Sequence, residues 1–317
     1  NLDRGHGNLY MFHGGTSFGL MNGANYYDEL TPDVTSYDYD APLSEAGDRT
    51  KKYYAIRDKM SEWVKLPEYP VEDTKKVDFG TAEFKETASL WSNLGALDPS
   101  PVVAEHPMTM EKLDLDYGFI LYRTVVKKGG KVRIEDVHDR AYVYVNQRYF
   151  GLIERANVAV TVEIEAKEGD SLDILLESLG RLNYGGQMKD PKGILGDVYL
   201  DDEVLLHWTM YRLGMKDLSH LQWVEAKEKA VGPAFYRSFV EIAEPADTFV
   251  NPKGWTKGHI YANGVNLGRF WTVGPQLTLY CPAPLLKSGT NEFVAFEISG
   301  SESLTMTLDD HHQIDIL

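Results

Sequence analysis

The feature that most constrains the fold of this chain is an internal repeat with a period of about 120 residues. Three segments of the first copy recur in the second copy, in the same order and at nearly the same spacing. The aligned pairs are residues 120–126 with 234–240, 144–146 with 261–263, and 169–180 with 289–300. A period this long is typical of duplicated domains rather than of a solenoid. The sequence therefore predicts two copies of one domain.

Each copy has the pattern of a β-sandwich, in which short strands of alternating polarity are separated by turn signals. The strands predicted in the first copy are residues 119–126, 141–145, 158–164, 172–177 and 196–206. The turn signals include the KGG triplet at 128–130 and the EGD triplet at 168–170. We place the first sandwich at residues 67–206, a polar connection at 207–232 and the second sandwich at 233–317.

A different pattern precedes the sandwiches. Residues 8–12 are a continuous apolar run, which predicts a strand covered on both faces, and a glycine-rich loop follows at 13–19. Residues 35–43 (TSYDYDAPL) alternate aromatic and acidic side chains, which an extended segment would divide between two faces. A strand end with such a loop above it is typical of the edge of a β/α barrel, where sugar-binding sites are built.

A helix is predicted over residues 49–65, with Asp48 as its N-terminal cap and Pro67 beyond its end. Its apolar side chains form one stripe. The stripe consists of Tyr53, Ile56, Met60, Trp63 and Val64. Residues 1–66 therefore hold one strand and one helix, and a single β/α unit cannot close a barrel or cover both faces of its strand. We expect sequence outside this chain to supply the missing units.

These segments closely resemble the β-galactosidases of glycoside hydrolase family 35. The runs at 8–19 and 35–43 carry the resemblance, together with signatures in both sandwiches. Those signatures lie at residues 139–143, 180–185, 254–258, 263–271 and 274–280. The resemblance implies a mainly β chain, with the last strand and helix of a (β/α)8 barrel at 1–66 and two galactose-binding-like jelly-roll β-sandwich domains after it. It also implies the C-terminal portion of a retaining exo-β-galactosidase that hydrolyses terminal β-linked galactose from oligosaccharides.

The catalytic carboxyl groups are expected elsewhere. Retaining glycosidases use two carboxyl groups about 5 Å apart, and Asp38 and Asp40 would share one face of an extended segment at roughly 6–7 Å. We favour the simpler interpretation, that they bond backbone N–H groups of their own loop. In the family, the nucleophile and the acid/base residue follow the seventh and fourth barrel strands. No residue here matches either motif, and Glu45 is not a substitute. We therefore predict no catalytic residue in this chain and no hydrolysis by the chain alone.

Two tyrosines are the predicted substrate-binding residues. The resemblance implies that Tyr39 hydrogen-bonds the galactose, a task that suits a phenol with an apolar ring and a polar oxygen. Tyr184 lies in a glycine-flanked loop, and the equivalent stretch of the second copy, residues 301–303, has no aromatic side chain. The two copies share one fold, so a residue that occurs in only one of them is less easily explained as a requirement of that fold. We predict that Tyr184 stacks on the sugar that leaves galactose.

Other polar and aromatic residues are assigned to structure. We interpret residues 14–16 as a tight turn rather than a phosphate loop, because no Gly-Lys-Ser/Thr follows them. His13 is assigned to loop structure. Asn146 and Asn263 occupy equivalent repeat positions and are predicted turn residues. The aromatic loops at 181–184 and 269–271 leave domain packing and ligand contact open as equal alternatives.

The composition of the chain limits the classes of ligand that it is expected to bind. With 32 Lys+Arg against 48 Asp+Glu the net charge is −16, which opposes nucleic-acid and membrane binding and suits a neutral sugar. His311-His312 is not interpreted as a metal site, and we predict no metal and no cofactor. A homo-oligomer is left open. The lone Cys281 and the absence of an Asn-X-Ser/Thr sequon favour the bacterial cytoplasm, with secretion not excluded. The alternative function is a non-catalytic carbohydrate-binding or scaffold protein built from paired sandwiches.

Overall fold

The computed structural model describes residues 8–38, 40–68, 72–227 and 231–314. The chain divides into two compact units, and each is discontinuous in sequence. Unit 1 comprises Asn1–Gly19, Val34–Thr87 and Val224–Leu317, and unit 2 comprises Leu20–Asp33 and Ala88–Trp223. Among the described residues, no helix is both long and apolar enough to cross a bilayer.

The helices are α1 (Lys51–Ser61) and α2 (Leu90–Leu97). The strands as far as the middle of the chain are β1 (Gly23–Tyr26), β2 (Leu30–Pro32), β3 (Gly80–Glu83), β4 (Glu86–Ser89), β5 (Val102–Ala104), β6 (Phe119–Ile134), β7 (Val137–His138), β8 (Arg140–Val145), β9 (Arg148–Glu154), β10 (Val162–Glu177), β11 (Arg181–Leu182) and β12 (Gly193–Ile194). The later strands are β13 (Val198–Leu200), β14 (Glu203–Val204), β15 (Trp208–Leu213), β16 (Val224–Glu225), β17 (Ala234–Ile242), β18 (Thr248–Asn251), β19 (Lys257–Ala262), β20 (Val265–Trp271), β21 (Leu279–Cys281), β22 (Gly289–Glu297) and β23 (Thr305–Asp309).

Unit 1 contains a β-sandwich. One sheet has the strand order β16-β4-β17-β22-β19-β20, and the other has the order β21-β18-β23-β3. Side chains from both sheets, among them Ile260, Phe293 and Leu308, form an apolar core, to which the loop before β19 adds Trp255. The predicted second sandwich is therefore present. The predicted start of the first sandwich at residue 67 is wrong, because strands β3 and β4 pair into the sheets of unit 1 instead.

Unit 2 contains the other β-sandwich. Its main sheet has the order β14-β13-β6-β10-β8-β9, with β15 paired to both β5 and β6. The core includes Tyr122, Ile174, Trp208 and Met210, all fully buried. A small sheet of order β11-β1-β2 belongs to the same unit, because the hairpin β1–β2 pairs in parallel with β11 through Gly23 and Arg181.

The strand order confirms the internal repeat. The run β6-β10-β8-β9 in unit 2 has the same connectivity as β17-β22-β19-β20 in unit 1. The hairpins β8–β9 and β19–β20 turn at Asn146 and Asn263, where φ is 49° and 47°. The Asn146 Oδ1 accepts a hydrogen bond from Ser171 N, and the Asn263 Oδ1 accepts one from Glu292 N. The prediction that the fold requires asparagine at both turns is confirmed.

The predicted turns at 128–130 and 168–170 are wrong. Both lie inside long strands, so that predicted strands 158–164 and 172–177 are parts of one strand, β10. The two signals face each other across β6 and β10, where Lys128 pairs with Lys167. Register shifts lie on both sides of Lys167, and at each of them two residues of β10 oppose one residue of β6. Strand β10 therefore bulges where the two signals face each other, and neither signal reverses the chain.

The strand predicted at residues 8–12 is also wrong. These residues have no strand assignment, and the side chains of Leu9, Tyr10 and Phe12 are exposed. A barrel strand needs a neighbour on each side for its backbone N–H and C=O groups. Within the part of the chain that the structure describes, the ladder pairing next to these residues is one parallel bridge between His13 and Leu43.

The predicted helix is confirmed, with different ends. Thr50, not Asp48, is the N-terminal cap, and its side chain accepts a hydrogen bond from Tyr53 N. Asp48 instead pairs with Lys76, because a cation from further along the chain lies within reach of its carboxylate. Helix α1 has no buried residue. In its apolar stripe Tyr53 and Ile56 are half-buried, whereas Met60, Trp63 and Val64 are exposed.

Candidate functional site

The loop at 13–19 and the loop at 34–45 pair with each other in unit 1. The backbone N–H of Ser17 donates to the carbonyl of Thr35 at 2.8 Å, and the N–H of Tyr37 donates to the carbonyl of Gly15 at 2.9 Å. A Cβ at Gly14 would lie 1.5 Å from the carbonyl oxygen of Tyr37. Glycine is therefore needed at position 14 so that the two loops can approach each other. The interpretation of residues 14–16 as a tight turn stays a prediction, because these residues have no turn assignment.

The 34–45 loop ends at a buried carboxyl group that contacts the 13–19 loop. Glu45 is buried, and Thr16 Oγ1 donates a hydrogen bond to its Oε1 at 2.7 Å. Burial raises the pKa of Glu45 from 4.5 to about 7, and the Asp38 carboxylate acts in the same direction. The sequence analysis did not predict this burial. The available signal was that Glu45 is the one charged residue in the run 41–47 (APLSEAG).

The other ionisable side chains of the loops have structural contacts. His13 Nε2 lies 3.1 Å from the carbonyl oxygen of Glu45, which confirms its assignment to loop structure. Asp40 has a φ of 51°, so the backbone is not extended there, and its carboxylate pairs with Lys52 Nζ at 2.6 Å. The expected shared face for Asp38 and Asp40 is therefore wrong.

The second sandwich forms hydrogen bonds with the 34–45 loop. Thr35 Oγ1 donates to the carbonyl of Arg269 at 2.9 Å and accepts from the N–H of Arg269 at 2.8 Å. The N–H of Ser36 donates to Gln276 Oε1 at 2.7 Å. Phe270 lies in the sandwich core. Of the two alternatives for residues 269–271, these contacts support packing. Strand β20 and the loop after it position the candidate sugar-binding loop.

Of the two predicted substrate-binding tyrosines, the structure describes one. Tyr39 lies outside the described residues. Tyr184 lies in unit 2, in the exposed loop between β11 and β12, and its side chain is 53% exposed. Its hydroxyl lies 2.9 Å from the hydroxyl of Tyr27, at the tip of the β1–β2 hairpin, and Tyr27 is 72% exposed. Sequence reasoning missed Tyr27, whose partner is 157 residues away.

Three family profiles match the chain in order. Residues 2–63 match the glycosyl hydrolases family 35. Residues 107–214 match the first all-beta domain of β-galactosidase, and residues 233–291 match the galactose-binding domain of β-galactosidase.

Curated proteins that match most of this chain are also named β-galactosidases. A β-galactosidase of Xanthomonas manihotis is 43% identical over 292 residues, which cover 88% of this chain and 48% of that protein. A β-galactosidase of Bos taurus is 38% identical, and one of Homo sapiens is 39% identical. Each of these two matches covers 92% of this chain, and 49% and 47% of the respective relative. The chain thus spans about half the length of the curated relatives that it matches.

Proposed function

We propose that this chain belongs to glycosyl hydrolase family 35 and that it is the C-terminal portion of a retaining exo-β-galactosidase. The whole protein would remove terminal β-linked galactose from oligosaccharides through a covalent intermediate on one carboxylate, with a second carboxyl as acid and base. The two carboxyl groups would come from the part of the catalytic domain that lies in the half of the relatives' length not covered by this chain. The present residues would contribute loops that bind substrate.

The observation that carries the proposal is the order of the matched segments. A family 35 segment, an all-beta segment and a galactose-binding segment follow one another within a single chain. The exposed end of the apolar stripe, formed by Met60, Trp63 and Val64, supports the same view, because exposed contiguous apolar surface commonly marks a protein interface. We propose that this stripe packs against the remainder of the catalytic domain.

Tyr39 remains the predicted galactose contact. It stands between Asp38 and Asp40 in the loop that Thr35 and Ser36 fasten to the second sandwich. In the complete enzyme, Tyr39→Phe would keep the ring but remove one hydrogen bond to the sugar. We expect kcat/KM to fall by about threefold to tenfold, measured on nitrophenyl β-galactoside. Unchanged kinetics would return Tyr39 to a structural role.

Tyr184 is proposed to stack on the sugar that leaves galactose. Its exposed ring supports this, because an aromatic face on a fixed loop offers apolar surface to a sugar at small entropic cost. We expect Tyr184→Ala to lower kcat/KM about threefold to tenfold on a galactosyl disaccharide and by less than about twofold on nitrophenyl β-galactoside. Equal losses on the two substrates would mean that Tyr184 only stabilises the fold.

The proposed function is tested with the longer protein that contains this chain. We expect it to hydrolyse nitrophenyl β-galactoside with retention of the anomeric configuration, which NMR of the first-formed sugar reports. The 317-residue chain alone is the matched control and should show no turnover. Galactose binding without hydrolysis by the longer protein would favour the alternative of a non-catalytic carbohydrate-binding protein.

A further inference from the structure

The side chain of Glu45 joins the two loops of the candidate sugar-binding site. Its Oε1 accepts a hydrogen bond from Thr16 Oγ1 at 2.7 Å, and its carboxyl group also has a hydrogen bond with the side chain of Ser36. Thr16 and Ser36 face each other in an antiparallel bridge between the 13–19 loop and the 34–45 loop. One carboxyl group therefore contacts both residues through which these loops pair.

The main chain at and before Glu45 is attached as well. His13 Nε2 contacts the carbonyl oxygen of Glu45 at 3.1 Å. Leu43 forms a parallel bridge with His13 and an antiparallel bridge with Arg49. Glu45 itself is only 6% exposed, so its carboxyl group gains full contact with water when the two loops separate.

The surroundings of this carboxyl group favour its neutral form. Burial has the largest effect and raises the pKa of Glu45 from 4.5 to about 7. The hydrogen bonds with Thr16 and Ser36 oppose this rise in pKa, the Asp38 carboxylate adds to it, and His13 opposes it least. The buried carboxyl group therefore keeps its proton at weakly acidic pH and loses it above neutrality.

Other ionisable side chains near Glu45 come from its own segment, from the 13–19 loop and from β21. Burial raises the pKa of Tyr280, on β21, so its hydroxyl stays neutral at pH 8. Asp48, three residues after Glu45, is paired with Lys76. Histidine side chains ordinarily titrate near neutrality, so the experiment has to separate His13 from Glu45.

We propose that Glu45 is a positioning residue that makes the candidate sugar-binding loop sensitive to pH, an inference that rests on the proposed function. In the neutral form, one carboxyl oxygen accepts from Thr16 and the protonated oxygen donates to Ser36. In the ionised form, a negative charge is buried near Asp38. Separation of the loops hydrates that charge, so ionisation loosens the loop in which Tyr39 stands and lowers the affinity for galactose.

Glu45→Gln is the informative variant. Glutamine has nearly the shape of a protonated carboxyl group, its oxygen accepts from Thr16 and its amide donates to Ser36, but it does not titrate. Glu297→Gln is the matched control. Burial also raises the pKa of Glu297 from 4.5 to about 7, but its carboxylate accepts hydrogen bonds from backbone N–H groups outside these two loops.

The first readout needs no activity. Hydrogen exchange reports how often the backbone N–H groups of Ser17 and Tyr37, which bond across the two loops, are released. In the 317-residue chain we expect their protection factors to fall about tenfold between pH 6 and pH 8, because a pKa of 4.5 when exposed and about 7 when buried favours opening by that factor. Glu45→Gln should keep them constant, and Glu297→Gln should show the original fall.

The second readout uses the longer protein and nitrophenyl β-galactoside. The ratio of kcat/KM in Glu45→Gln to kcat/KM in the original protein cancels the titration of the catalytic groups that both share. We expect this ratio to rise from about one at pH 5 to about threefold to tenfold at pH 8, mainly through KM. The reason is that only about a tenth of the original molecules keep the Glu45 proton at pH 8, and the apparent affinity falls with that fraction. The ratio for Glu297→Gln should not depend on pH.

The outcomes separate the two proposals. Protection factors that stay constant in the original chain refute the role of Glu45 without any variant, and a fall that persists in Glu45→Gln refutes it in favour of another group such as His13. If the longer protein cleaves the galactoside and the kcat/KM ratio is independent of pH, the inference fails and the β-galactosidase function stands. If it cleaves no galactoside, the proposed function fails, and hydrogen exchange still decides whether Glu45 holds the loops.

Discussion

Replacing Gly258 with alanine is expected to unfold the sandwich of unit 1 at temperatures where the original chain is stable. Gly258 lies in β19, between β20 and β22, and a Cβ built there would lie 1.7 Å from the carbonyl oxygen of Phe296. The ring of Phe270 would lie 3.1 Å away on another side. A backbone carbonyl inside a paired sheet cannot move aside as a flexible side chain could.

The expected cost is at least about 3 kcal/mol, the upper end for overpacked cores, because two neighbouring strands would have to separate. Urea unfolding followed by circular dichroism measures it. Gly95→Ala is the matched control. Gly95 lies in helix α2 with no atom near its missing Cβ, so alanine there should stabilise the chain by up to about 1 kcal/mol. Similar midpoints for Gly258→Ala and the original chain would contradict this prediction.

Stability is expected to fall as pH rises from about 5 to about 7. Burial raises the pKa of Glu45 and of Glu297 from 4.5 to about 7. A carboxyl group with a raised pKa in the folded state binds its proton more tightly there than in the unfolded chain. Its stabilising contribution is complete below pH 4.5 and is lost as pH rises through 7.

His259 opposes this trend. Burial lowers its pKa from 6.5 to about 3, and the charges of Arg269 and Lys257 add to the effect. Stability from this group is therefore lost as pH falls below 6.5. Between pH 7 and pH 5, each glutamate gains and the histidine loses about 2 kcal/mol, so the net stabilisation at pH 5 is on the order of 2 kcal/mol. The carboxyls with lowered pKa, such as Asp98 and Glu111, titrate below this range.

The free energy of unfolding in urea at pH 5, 6 and 7 tests the prediction. Glu45→Gln and Glu297→Gln should each remove about 2 kcal/mol of the pH dependence, because an amide does not titrate. Glu302→Gln is the control, since Glu302 is exposed. A free energy that stays constant or rises toward pH 7 in the original chain would show that the burial of these two carboxyl groups does not govern it.

The sequence by itself determined the features that depend on neighbours along the chain. The repeat predicted two domains of one topology, and the turns at Asn146 and Asn263 followed from their equivalent places in it. Helix α1 followed from its apolar stripe, because periodicity is a local property. The resemblance to family 35 β-galactosidases followed from the order of short motifs, and three β-galactosidase-related profiles match the chain in that same order.

Only the tertiary structure decided how distant segments use those elements. The turn signal at 168–170 became a bulge because β6 supplied a ladder on both sides of it. Glu45 became a group with raised pKa because two loops and their contacts cover it, which no spacing of charged residues reveals. Tyr27 met Tyr184 because β1 pairs with β11. In each of these three cases the contacting segment is distant in sequence. Its pairing or its burial of the residue determines which conformation or protonation state has the lower free energy.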